Sequence, residues 1–205
     1  MKKIIYVITF TALLFTACKN GTKNSDTEDI QKKEVIYKDE NIDSSSFNEE
    51  GDQKATSEIS VPKNTATTEI IDGYLQLKNA LVKTDSGKAA EAGKVILTAF
   101  SNFDMTTLSD SQHKEYMEIA ENAIEQAEHI VKSHIEHQRE HFEVLSNDIN
   151  DLIALLGTDK TLYQDFCPMY NKNKGGIWIS ETKEISNPYF GNKMLKCGRI
   201  QKQFN

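Results

Sequence analysis

The amino-acid sequence predicts a mainly α protein: an antiparallel four-helix bundle carrying a small, loop-rich C-terminal module that contains short β-strands. Two observations predict it. Between residues 69 and 156 apolar residues recur in four blocks at helical spacing, and from Leu162 the chain turns to aromatics, Pro and Gly with short β-prone runs. A third observation bounds the domain. Residues 19–68 are rich in Ser, Thr, Asn, Asp, Glu and Lys and too poor in apolar residues to offset their ordering entropy, so they read as a disordered tether.

The first helix is expected over 69–82, where Ile70, Ile71, Tyr74, Leu75, Leu77, Leu81 and Val82 share a face. A turn at Asp85-Ser86-Gly87 leads to the second, 88–103, expected to bury Ala89, Ala92, Val95, Ile96, Ala99, Phe100 and Phe103. Ser109 or Asp110 caps the third, 111–136, with Tyr116, Ile119, Ala120, Ala123, Ala127, Ile130 and Val131 inward. The fourth spans 137–156 on Phe142, Leu145, Ile149, Leu152, Ile153 and Leu156, with Gly157 as its C-cap. Short connections make neighbours antiparallel. The module from about 160 to 205 offers strands at 163–166, 177–179 and 196–201.

The N-terminus reads as an export signal. Lys2 and Lys3 precede an apolar run from Ile4 to Phe15, then Thr16 and Ala17. The run is too short for the roughly 20 residues of a permanent span, so residues 1–17 are expected to be cleaved. Leu14-Phe15-Thr16-Ala17 before Cys18 is similar to a bacterial lipobox, with Phe15 where an aliphatic residue is usual, which makes Cys18 the lipidation residue and a membrane the first partner. Ordinary cleavage leaving a free Cys18 is the alternative. Either places the protein in the periplasm or cell envelope. The net charge of −7 and the mixed charges of the tether exclude a nucleic-acid partner, since no basic stripe tracks phosphates.

The chemistry concentrates in the module. Cys167 is followed at two residues by Met169, and Cys197 is preceded at three by Met194. Thiolate and thioether are soft donors that select Cu(I), and by the same logic Ag(I), over hard ions. Pro168 restrains the Cys167–Met169 step, and Trp178 offers a ring face to a monocation. The opposing reading is a Cys167–Cys197 disulfide, the first expectation for two cysteines in an oxidising compartment, with the methionines as core filler. Zinc fits less well, because methionine is not among its usual ligands.

The stretches 163–169, 174–180 and 185–198, together with 74–81 and 138–146, closely resemble an uncharacterised periplasmic domain family. That family is common in Bacteroidetes and occurs alone or fused to membrane-fusion adaptors of heavy-metal efflux pumps. The resemblance implies a four-helix bundle with a small C-terminal module and a role in copper or silver handling. The Cys167-Pro168-Met169 step is also similar to the start of short metal-binding domains on copper-transporting pumps, which continue with a histidine where this chain has Tyr170.

Other candidates are weaker. His134, His137 and His141 share one face if the helix is continuous, making an auxiliary metal site or a solvated polar face. His113 and His129 read as isolated. Arg139 suits pinning backbone carbonyls where bundle and module meet. No Ser-His-Asp set, phosphate loop or H-E-x-x-H occurs, so no enzyme is expected. The expected function is envelope capture of Cu(I) or Ag(I), or its delivery to a heavy-metal efflux adaptor. The alternative is a metal-free interaction module, stapled by the disulfide, that docks an envelope partner.

Overall fold

The computed structural model describes residues 56–205. The signal peptide, Cys18 and most of the tether lie outside these residues.

Four helices form the bundle: α1 (Thr68–Val82), α2 (Ser86–Asn102), α3 (Asp110–Lys132) and α4 (Ile135–Leu156). The Asp85 side chain accepts from the Lys88 amide to start α2. Ser109 and Gln112 form a reciprocal capping box on α3, satisfying two donors a helix start leaves orphaned. Each helix packs on the next in sequence, and a thinner contact between α1 and α4 closes the bundle. Their inward faces are the expected ones except at Val95, which α2 turns to the surface, and Ile71, Leu77, Leu81, Ile96, Ala123, Ile130, Leu145 and Ile149 are all essentially inaccessible. Buried Gln138 ties three helices together by donating to the carbonyls of Ser86 and Ile130 (both 3.0 Å), the second at the α3 C-terminus, where it also receives the Ser133 amide (3.5 Å).

The module is a four-stranded sheet in the order β1-β4-β2-β3, from β1 (Ser57–Ile59), β2 (Leu162–Cys167), β3 (Gly176–Ser180) and β4 (Arg199–Phe204). β2 pairs antiparallel with β3 and β4, whereas β1 runs parallel to β4. β1 was not expected, because Ser57-Glu58-Ile59 is polar and exposed and carries no strand pattern of its own. It is held by partners far along the chain: Val61 donates to the Asn205 carbonyl and Asn205 to that of Ile59. The ordered domain therefore begins well before residue 69.

Gly157 ends α4 as expected, with φ at 82°. The Pro62 carbonyl approaches so closely that an added Cβ would stand 1.9 Å from its oxygen, so only glycine fits. The segment after β1 is thereby clamped to the end of the bundle.

β3 is the sheet's edge beside the helices, and two tyrosines cover it. The Tyr74 hydroxyl on α1 accepts from the Ile179 amide (3.1 Å), and the Tyr189 hydroxyl donates to the Ile177 carbonyl. An edge that would otherwise bury unpaired backbone groups is satisfied by side chains.

Candidate functional site

Cys167 is the last residue of β2 and is wholly buried, whereas Cys197 sits half-buried in the turn before β4. The turn is closed by the Cys197 amide donating to the Met194 carbonyl (3.0 Å). Thirty residues apart in sequence, the two sulfurs stand 2.8 Å apart as free thiols. The strand expected over 196–201 begins only at Arg199, which leaves Cys197 in the turn.

Burial, and then the adjacent Cys167 thiol, push the Cys197 thiol up to about 11, with the Met169 backbone opposing. Both act in the same physical direction, since neither low polarity nor a neighbouring sulfur welcomes a second negative charge. Met169 leaves the buried Cys167 for the surface and is half exposed, while Met194 is half-buried. Three successive residues after Tyr170, Asn171, Lys172 and Asn173, take left-handed backbone angles, which side chains other than glycine rarely adopt.

Trp178 differs from its expected role. It lies in the core, fully buried, edge-on to Tyr189 at 6.0 Å, and Gly198 comes so close that an added Cβ would meet its ring at 2.7 Å. It supports the Cys197 turn from beneath. The bond partner that holds that turn was missed in the sequence. Buried Asn187 donates to the Cys197 carbonyl (2.6 Å) and accepts from the amides of Tyr189 (2.8 Å) and Phe190 (3.1 Å). The Asn187-Pro188 step, a turn-initiating pair, was its only signal.

Arg139 pins backbone as expected, donating to the carbonyls of Pro188 (2.9 Å) and Leu81 (3.1 Å) and to the Thr84 hydroxyl (3.0 Å). It fastens the Cys197 loop to the end of α1. Beneath the sheet Asp165 and Lys78 are both buried. Burial raises the Asp165 pKa to about 7 against the opposing Lys78 ammonium and the neighbouring Trp178 indole, yet neither carboxyl oxygen has a hydrogen-bond partner among the described residues.

The histidines are arranged differently from the sequence reading. The chain breaks at Ser133, so His134 is the N-cap of α4, exposed and beside Glu136, yet its ring still stands edge-on to that of His137 at 6.1 Å. His129, expected to be isolated, instead stacks on His141 across the hairpin at 4.4 Å. Among the described residues no three His, Cys, Asp or Glu side chains surround a common point as ready-made metal ligands.

Fold and site together define a helical-bundle domain with an appended sheet that presents a close thiol pair. Residues 70–161 match the model of a family described as a protein of unknown function (DUF3347). The match ends before β2, leaving both cysteines outside it. No curated protein and no solved structure matches the chain.

Proposed function

We propose that this protein is a heavy-metal-binding protein of the cell envelope, lipid-anchored through Cys18, that captures Cu(I) or Ag(I) at Cys167 and Cys197 with Met169 and Met194 as neighbouring donors. It hands the ion to an efflux system, in keeping with the adaptor-fused relatives that the sequence resembles. The observation that carries the reading is the convergence of two free thiols from opposite ends of the module, one of them reachable from the surface. Soft donors so placed suit a soft monocation.

With metal–sulfur bonds of about 2.3 Å, two thiolates on one ion stand about 4 Å or more apart, so loading parts the sulfurs by about 1 Å or more. The half-buried Cys197 turn supplies that movement more readily than strand β2. The 2.8 Å separation equally favours a second reading, in which the cysteines close a disulfide and the bundle docks an envelope partner without metal.

Cu(I) titration of the reduced protein against a competing chelator tests the first reading, with Cys167→Ser, Cys197→Ser and Met194→Leu alongside. Tight one-to-one binding that the serine variants abolish supports it. Equal affinity across wild type and variants overturns it. A chain purified without reductant whose mass shows two hydrogens fewer, and whose bridge resists mild reductants, supports the second.

A further inference from the structure

We propose that His129, His137 and His141 form a second, separate site, for a borderline divalent transition-metal ion such as Zn²⁺, Ni²⁺ or Cu²⁺, at the hairpin of α3 and α4. Imidazole nitrogen suits this class of ion.

The case rests on which ring nitrogens are free. The Asp148 carboxyl accepts from the Asn122 amide nitrogen (2.7 Å), Asn122 oxygen accepts from Gln126 nitrogen (3.3 Å), and Gln126 oxygen is left to meet His141 Nδ1 (2.8 Å). An amide oxygen only accepts, so His141 carries its proton on Nδ1 and presents a bare lone pair at Nε2. That Nε2 is buried and has no hydrogen-bond partner among the described residues. Buried polar atoms without a partner call for one, and an ion is a partner this lone pair can take.

His137 repeats the arrangement. Its Nδ1 meets the Glu140 carboxylate at 2.8 Å, which again leaves Nε2 to donate its lone pair outward. A carboxylate or amide oxygen behind the far ring nitrogen is the outer-shell pattern that fixes tautomer and aim in histidine metal sites. His137 and His141, four residues apart on α4, share a face, and their rings lie 4.7 Å apart.

His129 is the third ligand, and one movement is required of it. Its ring lies parallel to that of His141, 9° between planes, and parallel rings cannot both aim in-plane lone pairs at one ion. His129 is exposed in the last turn of α3 and turns about its own side-chain bonds to complete the site. Three imidazoles leave a fourth position to water.

The experiment uses the full chain with Cys167→Ser and Cys197→Ser, so that loss of the thiol site and loss of this one are distinguishable. Zn²⁺ and Ni²⁺ are titrated by calorimetry, and the histidine ring signals are followed by NMR with Zn²⁺. One-to-one binding is expected, weakened at least about tenfold by His137→Ala, and weakened about 10–100-fold by Gln126→Ala although Gln126 holds no metal. His113→Ala leaves the affinity unchanged, and the signals of His129, His137 and His141 move together. No binding at millimolar zinc, unchanged affinity in His137→Ala, or movement of His113 or His134 in place of the three would overturn the proposal.

Discussion

The Tyr74 hydroxyl receives the amide hydrogen of Ile179 and passes its own to Ser146, whose hydroxyl donates to the Phe142 carbonyl. Ser146 has one hydrogen, so the direction of the whole chain is determined. One hydroxyl thus joins α1, α4 and the edge of the sheet that leads to Cys167. Burial raises the Tyr74 pKa above its ordinary value, which keeps the hydroxyl protonated and the relay intact across the physiological range.

Tyr74→Phe keeps the ring stacked on Phe142 and removes only the relay. The Ile179 amide is then buried without a partner, which costs about 1–3 kcal/mol. Urea denaturation of the two proteins measures it, and a difference near zero would show that water replaces the hydroxyl.

How far the sequence discloses this molecule depends on whether a residue's role is local. The four helices were legible because Ile71, Ile96, Ile130 and Ile149 repeat their faces within single segments. The break between the last two helices was expected after residue 136 and falls at Ser133, since Ile130 and Ile135 keep an apolar rhythm across it and neither Ser133 nor His134 forces a stop. Ser57–Ile59 is a strand only because β4 lies beside it. The sulfur residues of the site were legible as chemistry, but the meeting of Cys167 with Cys197 depends on the register of β2 and on Asn187. His129 joins His141 through helix packing alone, which no spacing encodes.

Asn187 gives a direct handle on the thiol pair. Asn187→Ala removes the bond to the Cys197 carbonyl and orphans the buried Tyr189 amide. A loss of about 1–3 kcal/mol in stability is expected. More telling is the turn itself: Cys197 becomes faster to alkylate under native conditions, while Cys167, held in β2, does not. Mass mapping of the labelled cysteines at short times checks it.

Asp165 makes stability depend on pH in the unusual direction for a carboxylate. Its pKa rises from 3.8 to about 7 on folding, chiefly through burial. The folded state therefore holds a proton that the unfolded state has lost between these values, and stability falls as pH rises through that window. Below about pH 4 wild type and Asp165→Asn should differ little in this respect. Above pH 7 the wild type carries the full penalty, up to about 4 kcal/mol, reduced by whatever the Lys78 ammonium returns. Denaturation midpoints of the two proteins from pH 4 to pH 8 should diverge steadily and then run parallel. A constant gap would mean that Lys78 keeps Asp165 ionised throughout.

Cys197 offers the last test, because its raised pKa bears on either fate of the pair. The thiolate is the nucleophile and the metal ligand, and with the thiol pushed up to about 11 the thiolate is scarce at neutral pH. Relative to an ordinary cysteine near 8.5 the thiolate fraction at pH 7 falls about 300-fold, while each thiolate, being more basic, attacks about tenfold faster. Alkylation by iodoacetamide at pH 7 should therefore run about 10–100-fold slower than on an unfolded chain. It should also keep rising with pH well past 9. Cys167→Ser removes the neighbouring sulfur, one of the two main causes, and brings the plateau to lower pH. A metal must displace the same proton, so Cu(I) affinity should climb with pH over the range in which the alkylation rate climbs. A protein that takes no label until reductant is added has closed the disulfide instead.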